Sequence, residues 1–582
     1  MKKNFLAAIA LALTLWAPVA LAGDQTISTA TVWSGAVTVD GTVTLTSTGS
    51  LTIQPGTVVN FVGAGTIKCN TSGTFSAQGT ANAPIQFTGS QAGSITGNPL
   101  GMTFSNCTVS GLAPLVSGVR SRWLDVQPRT GGFSMTNCTI SDSGRLFSRG
   151  GTETVTGCDV RDSSEFWIWS AGGAVNIQNN KFQNSAIYTS SATSNIAHNA
   201  MVDVQVWAAN SGGDGAYTNF VIEDNYIHNT PHGQGYGIIH TLGEIRNNVI
   251  RGCSWNMSDV GGHISGNVLE ALSATEAAQR GDPTHEIICG PRDNSVIERN
   301  LLLNASYGEI MGIGSTLMAN VLVRNNTMDA RGSSVPLYLN HVPSAKATGL
   351  DIRNNLFLRT GRIYDEQNHI SGGYADTISS VDYNCFAGRG SDTYGGTSPR
   401  FVSVQITGKV EGDDGFGMHD VMLPTLASGF NPASLVANPD FVDPYSDADM
   451  LAGTYSTAQL LSLYRQAYTP VAGSALINAG NPIDATDPAA TYGQVDIGAI
   501  EAALLPGDAN MDRKTDFKDY IVLEGNFGKT NATWSMGDFN GDGTVDFKDY
   551  IILEGAFGKS VPEPMSVSML VLGGLTLLKR RK

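Results

Sequence analysis

The sequence predicts an all-β chain wound into a parallel β-helix solenoid, and three observations carry that prediction. The first is a short frame: an apolar residue, two variable residues, Asn, one variable residue, an apolar residue. It stands at Ile222…Asn225…Ile227 and recurs at Ile177…Asn180…Phe182, Ile196…Asn199…Met201, Ile245…Asn248…Ile250 and Ile264…Asn267…Leu269. It continues at Ile297…Asn300…Leu302, Val323…Asn326…Met328, Ile352…Asn355…Phe357 and Val381…Asn384…Phe386. The second is that Cys takes the Asn place upstream, at Phe104…Cys107…Val109, Met135…Cys138…Ile140 and Val155…Cys158…Val160. The third is composition: 68 Gly in 582 residues with only 15% charged residues suits a turn-rich sheet protein and argues against a helical one.

The frame recurs every 19 to 33 residues. A repeat of that length with one short strand signal per copy cannot bury its apolar face alone, so the copies must stack. The Asn is explained by a tight inward corner, where it tolerates unusual backbone angles. Stacked Asn side chains then bond to one another along the axis. Cys is small and apolar enough for the same slot. With coils about 4.8 Å apart, the twelve marks would span roughly 50 Å. The pattern resembles the right-handed parallel β-helix of the pectate-lyase-like type, and the Asn ladder carries that resemblance.

A formal net charge of −16 argues against nucleic acid as a partner, because phosphate contacts need Lys and Arg. It also ill suits polyanionic sugars, unless a metal or a local basic patch intervenes. The seven Cys form neither a disulfide framework nor a zinc spacing. Free buried thiols are the preferred reading, with Cys107 and Cys138 as the ladder neighbours near enough to pair.

In chain order, residues 1–22 have the form of a secretory signal peptide: basic Lys2 and Lys3, an apolar run from Phe5 to Trp16, and Ala20-Leu21-Ala22 before Gly23. Residues 23–95 alternate strictly, as in Val43-Thr44-Leu45-Thr46, and form the N-terminal cap and first coils. The segment from Leu51 to Val59 resembles the opening coils of exported β-helix proteins. Residues 96–400 are the Asn-ladder region. There, a second strand follows the Asn strand in each coil, with insertions collecting on one side. Residues 401–505 lose the frame and are expected to form a C-terminal cap, with a short helix from Ser456 to Tyr468.

Residues 506–560 hold an internal repeat with a period of 30, Asp516-Phe517-Lys518-Asp519-Tyr520 against Asp546-Phe547-Lys548-Asp549-Tyr550. Oxygen-bearing residues alternate before each: Asp508, Asn510, Asp512, Asp516, Asp519 and Asp538, Asn540, Asp542, Asp546, Asp549. These are places one, three, five, nine and twelve of a calcium loop; place seven, Lys514 and Thr544, supplies a backbone carbonyl. The plain alternative is a solvated acidic linker. Two such loop–helix units resemble a type I dockerin, which implies Ca2+ and a cohesin partner. Gly543 fills the sharp-turn place of the second loop, whereas Arg513 stands there in the first and puts that site in doubt. Residues 561–582 combine Val561-Pro562-Glu563-Pro564, an apolar run from Met565 to Leu578 and Lys579-Arg580-Arg581-Lys582. They resemble a PEP-CTERM sorting signal, which implies processing by an exosortase-type enzyme and a surface or extracellular destination; a simple tail anchor is the competing reading.

Two groups of residues could carry function. Trp167, Trp169, Tyr188 and Trp207 crowd one stretch, and the alternation of Phe166-Trp167-Ile168-Trp169 turns both Trp away from Phe166 and Ile168. Exposed rings in a row suit the apolar C–H faces of sugars; packing is the competing reading. His240, Glu286, Arg292 and Glu309 lie on or beside the second strands. If Glu286-Ile287-Ile288 aligns with Glu309-Ile310-Met311, the two carboxylates stand about 5 Å apart, fit for calcium or for acid–base work. Arg292 would neutralise a uronate carboxylate. Solvated edge residues are the bland alternative. The expectation is an exported polysaccharide lyase or O-glycosyl hydrolase acting on an extracellular glycan; the alternative is a non-catalytic adhesin or carbohydrate-binding structural protein.

Overall fold

A computed structural model of the protein describes most of residues 19–387, then 421–423, most of 445–502 and most of 505–560. Two compact units divide the chain, Met1–Gly243 and Glu244–Lys582. The expected signal peptide (save Val19–Leu21) and the C-terminal signal lie outside the described residues.

The first unit is a stack of parallel coils, each built from three short strands. One coil consists of Phe133–Thr136, Thr139–Ser141 and Arg145–Gly150. Corresponding strands pair in parallel from coil to coil and make three ladders. The first ladder runs from Ala30–Trp33 to Phe220–Glu223. The second ends at Tyr226–His228, and the third at Tyr236–Ile239. Inward residues alternate with outward ones, so Phe75, Phe87, Phe104 and Phe133 stack inside with ring centroids 5.2–6.5 Å apart. Each such ring contributes about 1.5–3 kcal/mol on burial.

The Asn frame straddles a corner. Ile222 lies on the first ladder and Ile227 on the second, so each coil has three strands where the sequence suggested two. The left-handed backbone belongs to the residue before the Asn. Asn179, His198, Asp224, Asn247, Gly266, Arg299, Asn325, Asn354 and Tyr383 all have φ between 51° and 65°. This corrects the expectation that the ladder Asn itself takes the unusual angles. The Asn is selected by its amide. Asn199 Nδ2 donates to the Ile177 carbonyl at 2.9 Å and to Asn225 Oδ1 at 2.9 Å, while Asn199 Oδ1 accepts from the Asn180 backbone at 2.9 Å. Every polar atom of the side chain is thus used in the dry interior. In the Cys coils the thiols stay free and buried. Cys158 Sγ reaches the Met135 carbonyl at 3.7 Å, a weak copy of the same bond.

The second unit repeats the plan. Its first ladder runs through Gly261–Ser265, Val296–Glu298, Leu322–Arg324, Leu350–Arg353 and Ile378–Asp382. Its Asn ladder links Asn248, Asn267, Asn300, Asn326, Asn355 and Asn384 by amide bonds of 2.9–3.1 Å. Two helices follow, α1 (Asp447–Ala452) and α2 (Thr457–Ala467). Ser446 with Asp449 and Ser456 with Gln459 form capping boxes that satisfy the first amides of each helix.

The described contacts of residues 457–502 run along the side of successive coils; residues 401–420 and 424–444 of the expected C-terminal cap lie outside the described residues. Arg465 donates to Asn247 Oδ1 and the Gly266 carbonyl, Tyr464 to Glu270 and Tyr468 to Asp329. Asp484, nearly buried, accepts from Arg324 at 2.6 Å, Arg353 at 2.8 Å and Asn354 at 2.8 Å. Arg299 pairs with Glu501 at 2.8 Å. Residues on the exposed corners of five coils thereby gain partners from a single clasping segment.

Residues 505–560 form two loop–helix repeats, with α3 at Phe517–Asn526 and α4 at Phe547–Ala556. They share a small core of Ala509, Leu523, Trp534, Phe539, Val545 and Leu553. Each loop closes on the end of the other repeat's helix: Thr515 pairs with Gly558 and Lys559, and Val545 with Gly528 and Lys529.

Candidate functional site

The third ladder of the first unit carries the aromatic residues. Alternation buries Phe166 and Ile168 and leaves Trp167 and Trp169 half-buried on the outside, as the sequence indicated. Strand pairing sets Phe147, Trp167, Tyr188 and Trp207 in register on four successive coils. Trp167 and Tyr188 stack at 4.4 Å with planes 16° apart; Tyr188 and Trp207 follow at 5.7 Å. His240 continues the column beside Trp207 at 4.7 Å, which makes it a member of the stripe. Two hydrogen bonds fix ring orientations: Trp167 Nε1 donates to Glu165 at 2.5 Å, and Gln205 Nε2 to the Tyr188 hydroxyl at 3.1 Å.

Sequence reasoning missed the start of the column. Phe147 is mostly covered, with the Arg122 guanidinium 4.3 Å and the Arg149 guanidinium 4.5 Å from its ring centroid. Arg145 lies 5.8 Å from Trp167 and pairs with Glu165 at 2.5 Å. These Arg residues sit in one sequence window, but only the register shows that they adjoin the rings.

The proposed catalytic residues are not drawn together by the described structure. His240 belongs to the first unit. Glu286 lies outside the described residues. Ile288 pairs with Ile310, so the backbone of Glu309, on the strand Gly308–Gly314, falls level with Ile287. Arg292 holds Asp259 in a two-pronged pair at 2.7 and 2.6 Å.

A different charged group gathers on the first ladder of the second unit. His263 contacts Glu244 at 3.0 Å and Glu298 at 2.7 Å, and Arg324 bonds the other oxygen of Glu298 at 2.6 Å. Burial alone would raise Glu298, but the His263 hydrogen bond and the Arg324 charge hold it at about 2. His263 is raised in turn, chiefly by its hydrogen bond to Glu298. Through Arg324 the group reaches Asp484, so it ties the clasp to the coils.

In the acidic loops, the last two carboxylates of each repeat cap the helix that follows. Asp516 and Asp519 form the capping box of α3, and Asp546 and Asp549 that of α4. Asp549 is fully buried and accepts from Phe539, Asn540 and Asp546 amides at 2.8–3.0 Å. Asp538 Oδ2 accepts from Gly543, whose φ of 81° makes the sharp turn. The second loop therefore packs Asp538 and Asp549 out of water near Asp542 and Asp546, a donor set that suits calcium in kind. Among the described residues, however, no three such side chains already converge as a metal centre. Lys548 holds Asp542 outward at 2.8 Å. In the first loop Asp508 and Asp519 are buried alike, while Asp512 and Arg513 lie outside the described residues. Lys514 and Thr544 stand in isolated bridges with Ser560 and Thr530.

No protein-family model matches the chain, and no curated protein matches it. The class rests on the coordinates: a parallel β-solenoid followed by short helices.

Proposed function

We propose that this chain is an exported protein that engages an extracellular polysaccharide along the third ladder of residues 1–243. The observation that carries the reading is the in-register column of Trp167, Tyr188 and Trp207, half-buried rings on successive coils with Trp169 beside them. A hexose is about as long as the rise of one coil, about 4.8 Å. Successive sugar units therefore meet equivalent positions on successive coils. Aromatic edges supply apolar contact, and the Tyr188 hydroxyl supplies a polar one.

The loop–helix pair of residues 506–560 acts in this reading as a calcium-stabilised, dockerin-like attachment module, with a cohesin as its partner. The ends of the chain serve export and exosortase-type surface sorting. Binding is favoured over catalysis, because Arg292 already carries a carboxylate. The lyase or glycosidase reading remains the second one. Its residues are Glu286, Glu309 and Arg292.

One experiment tests both. The chain is screened against neutral and uronate-rich polysaccharides, with binding, unsaturated ends and reducing ends all recorded. Binding that falls at least tenfold in Trp167→Ala and Trp207→Ala, with no new ends, supports the binding protein. New ends that vanish in Arg292→Ala or Glu309→Gln support the enzyme. Neither binding nor new ends across the panel refutes both.

A further inference from the structure

Beside the continuous column runs a second, interrupted row. The register aligns Arg149, Trp169 and Ser190 on three successive coils, two residues along the strand from Phe147, Trp167 and Tyr188. The two rows differ in kind. In the first, every coil supplies a ring, so each ring face is covered by the next. In the second, the ring neighbours of Trp169 among the described residues are Trp167 beside it at 5.4 Å and Phe147, diagonally on the preceding coil, at 5.7 Å. On the following coil a serine stands where the first row has Tyr188. The small Ser190 side chain stands opposite Trp169, and among the described residues no ring covers that face of Trp169.

On the preceding coil stands Arg149. It is exposed, and its guanidinium is held 4.5 Å from the Phe147 centroid. Its neighbours Arg122 and Arg145 are each neutralised, by Asp125 at 2.6 Å and Glu165 at 2.5 Å. No carboxylate pairs with Arg149 among the described residues. A guanidinium placed this way keeps its in-plane donors for a planar anion while its face is occupied.

We infer that Arg149, Trp169 and Ser190 form a subsite for a sugar unit bearing an anionic group, a carboxylate or a sulfate, at one end of the glycan-binding stripe; the inference rests on the glycan reading above. Trp169 takes the sugar ring at the Ser190 position, and Arg149 takes the anionic group of the adjoining unit. The stripe is thereby polar, with a charged end at Arg149. The local patch supplies what the overall acidic charge withholds.

The test is calorimetric titration of the full chain with three probes: an oligouronate hexasaccharide, the same oligosaccharide with its carboxyls reduced to hydroxymethyl groups, and a sulfated hexasaccharide. The wild-type chain binds one of the charged probes at least about tenfold more tightly than the reduced one, as expected for one charge-assisted bond, and the advantage shrinks with added salt. Which charged probe wins distinguishes carboxylate from sulfate. Arg149→Ala abolishes that preference and leaves binding of the reduced probe unchanged; Arg149→Lys restores part of it. Ser190→Trp, which fills the place beside Trp169, weakens all three. Thermal unfolding of each variant confirms that the coils are intact. A wild-type chain without charge preference, or an Arg149→Ala variant that keeps it, overturns the subsite while the glycan reading survives in any binding lost by Trp167→Ala. Absence of binding to every probe overturns both.

Discussion

Replacing Asn300 by Ala tests the energetics of the corner ladder most directly. Asn300 is fully buried. Its Oδ1 accepts from the Asn267 backbone at 3.0 Å and from Asn267 Nδ2 at 2.9 Å. Its Nδ2 donates to the Ile264 carbonyl at 2.9 Å and to Asn326 Oδ1 at 3.0 Å. Alanine removes all four bonds. Asn267 Nδ2 keeps the Ile245 carbonyl and Asn326 Oδ1 keeps the Asn300 amide, so neither is stranded. The Asn267 N–H loses its acceptor in a dry interior. A stranded buried donor costs about 1–3 kcal/mol and each further net bond about 0.5–1.5 kcal/mol. With three further bonds lost, the expected loss is about 2.5–7.5 kcal/mol. Solenoids open locally, so the loss belongs to the coils on either side of Asn300 rather than to a single global transition.

Native-state hydrogen exchange is the suitable assay, read at the amides of 264–269, 297–303 and 323–328. Asn300→Ala lowers protection there and leaves residues 30–110 unchanged. Asn300→Asp is more damaging than Ala at neutral pH, because the second carboxylate oxygen replaces Nδ2 against two acceptors. The difference narrows in acid, where the protonated carboxyl can donate again. Asn300→Cys is the mildest, since Cys107, Cys138 and Cys158 occupy the same place upstream. Wild-type protection in the Ala variant, or an Asp variant more protected than Ala at pH 7, would refute this account of the ladder.

Three further perturbations have defined outcomes. Glu153 is fully buried, held only by Ser148 at 2.7 Å, and burial pushes its carboxyl up to about 8. The native state thus binds this proton more tightly than the unfolded chain does. Stability of the first unit falls as pH rises from the unfolded value near 4.5 through about 8, by roughly 3–5 kcal/mol in all; Glu153→Gln removes that slope in pH-dependent unfolding, and an unchanged slope refutes it. His263 is raised, so its ion pairs stabilise the native state below its unfolded value and are lost as pH climbs through the raised one. Proteolysis at residues 478–502 should therefore accelerate at alkaline pH in the wild type, and His263→Gln should be fast at every pH; identical rates would show that the clasp does not depend on His263. Chelation of calcium should cut exchange protection in α3 and α4 while leaving the coils untouched, and protection indifferent to chelator and to added calcium would remove the metal from residues 506–560.

The sequence by itself determined the class of fold, the position of each corner and the helix from Ser456 to Tyr468, because each depends on spacing along the chain. Apolar residues on both sides of an Asn or Cys, repeated twelve times, leave a stacked solenoid as the arrangement that buries them all. Alternation likewise settled that Trp167 and Trp169 point outward. The tertiary structure decided what spacing cannot express. It decided that the residue before each Asn takes the left-handed turn, and that residues 457–502 run along the side of five coils through pairs such as Arg324 with Asp484. It decided register: Arg149 stands level with Trp169 and Ser190. Coil lengths vary from 19 to 33 residues, so residues far apart in sequence become neighbours by a count that only the folded loops supply. A pattern of period two places a side chain on a face, but only the pairing of one coil with the next determines its neighbours.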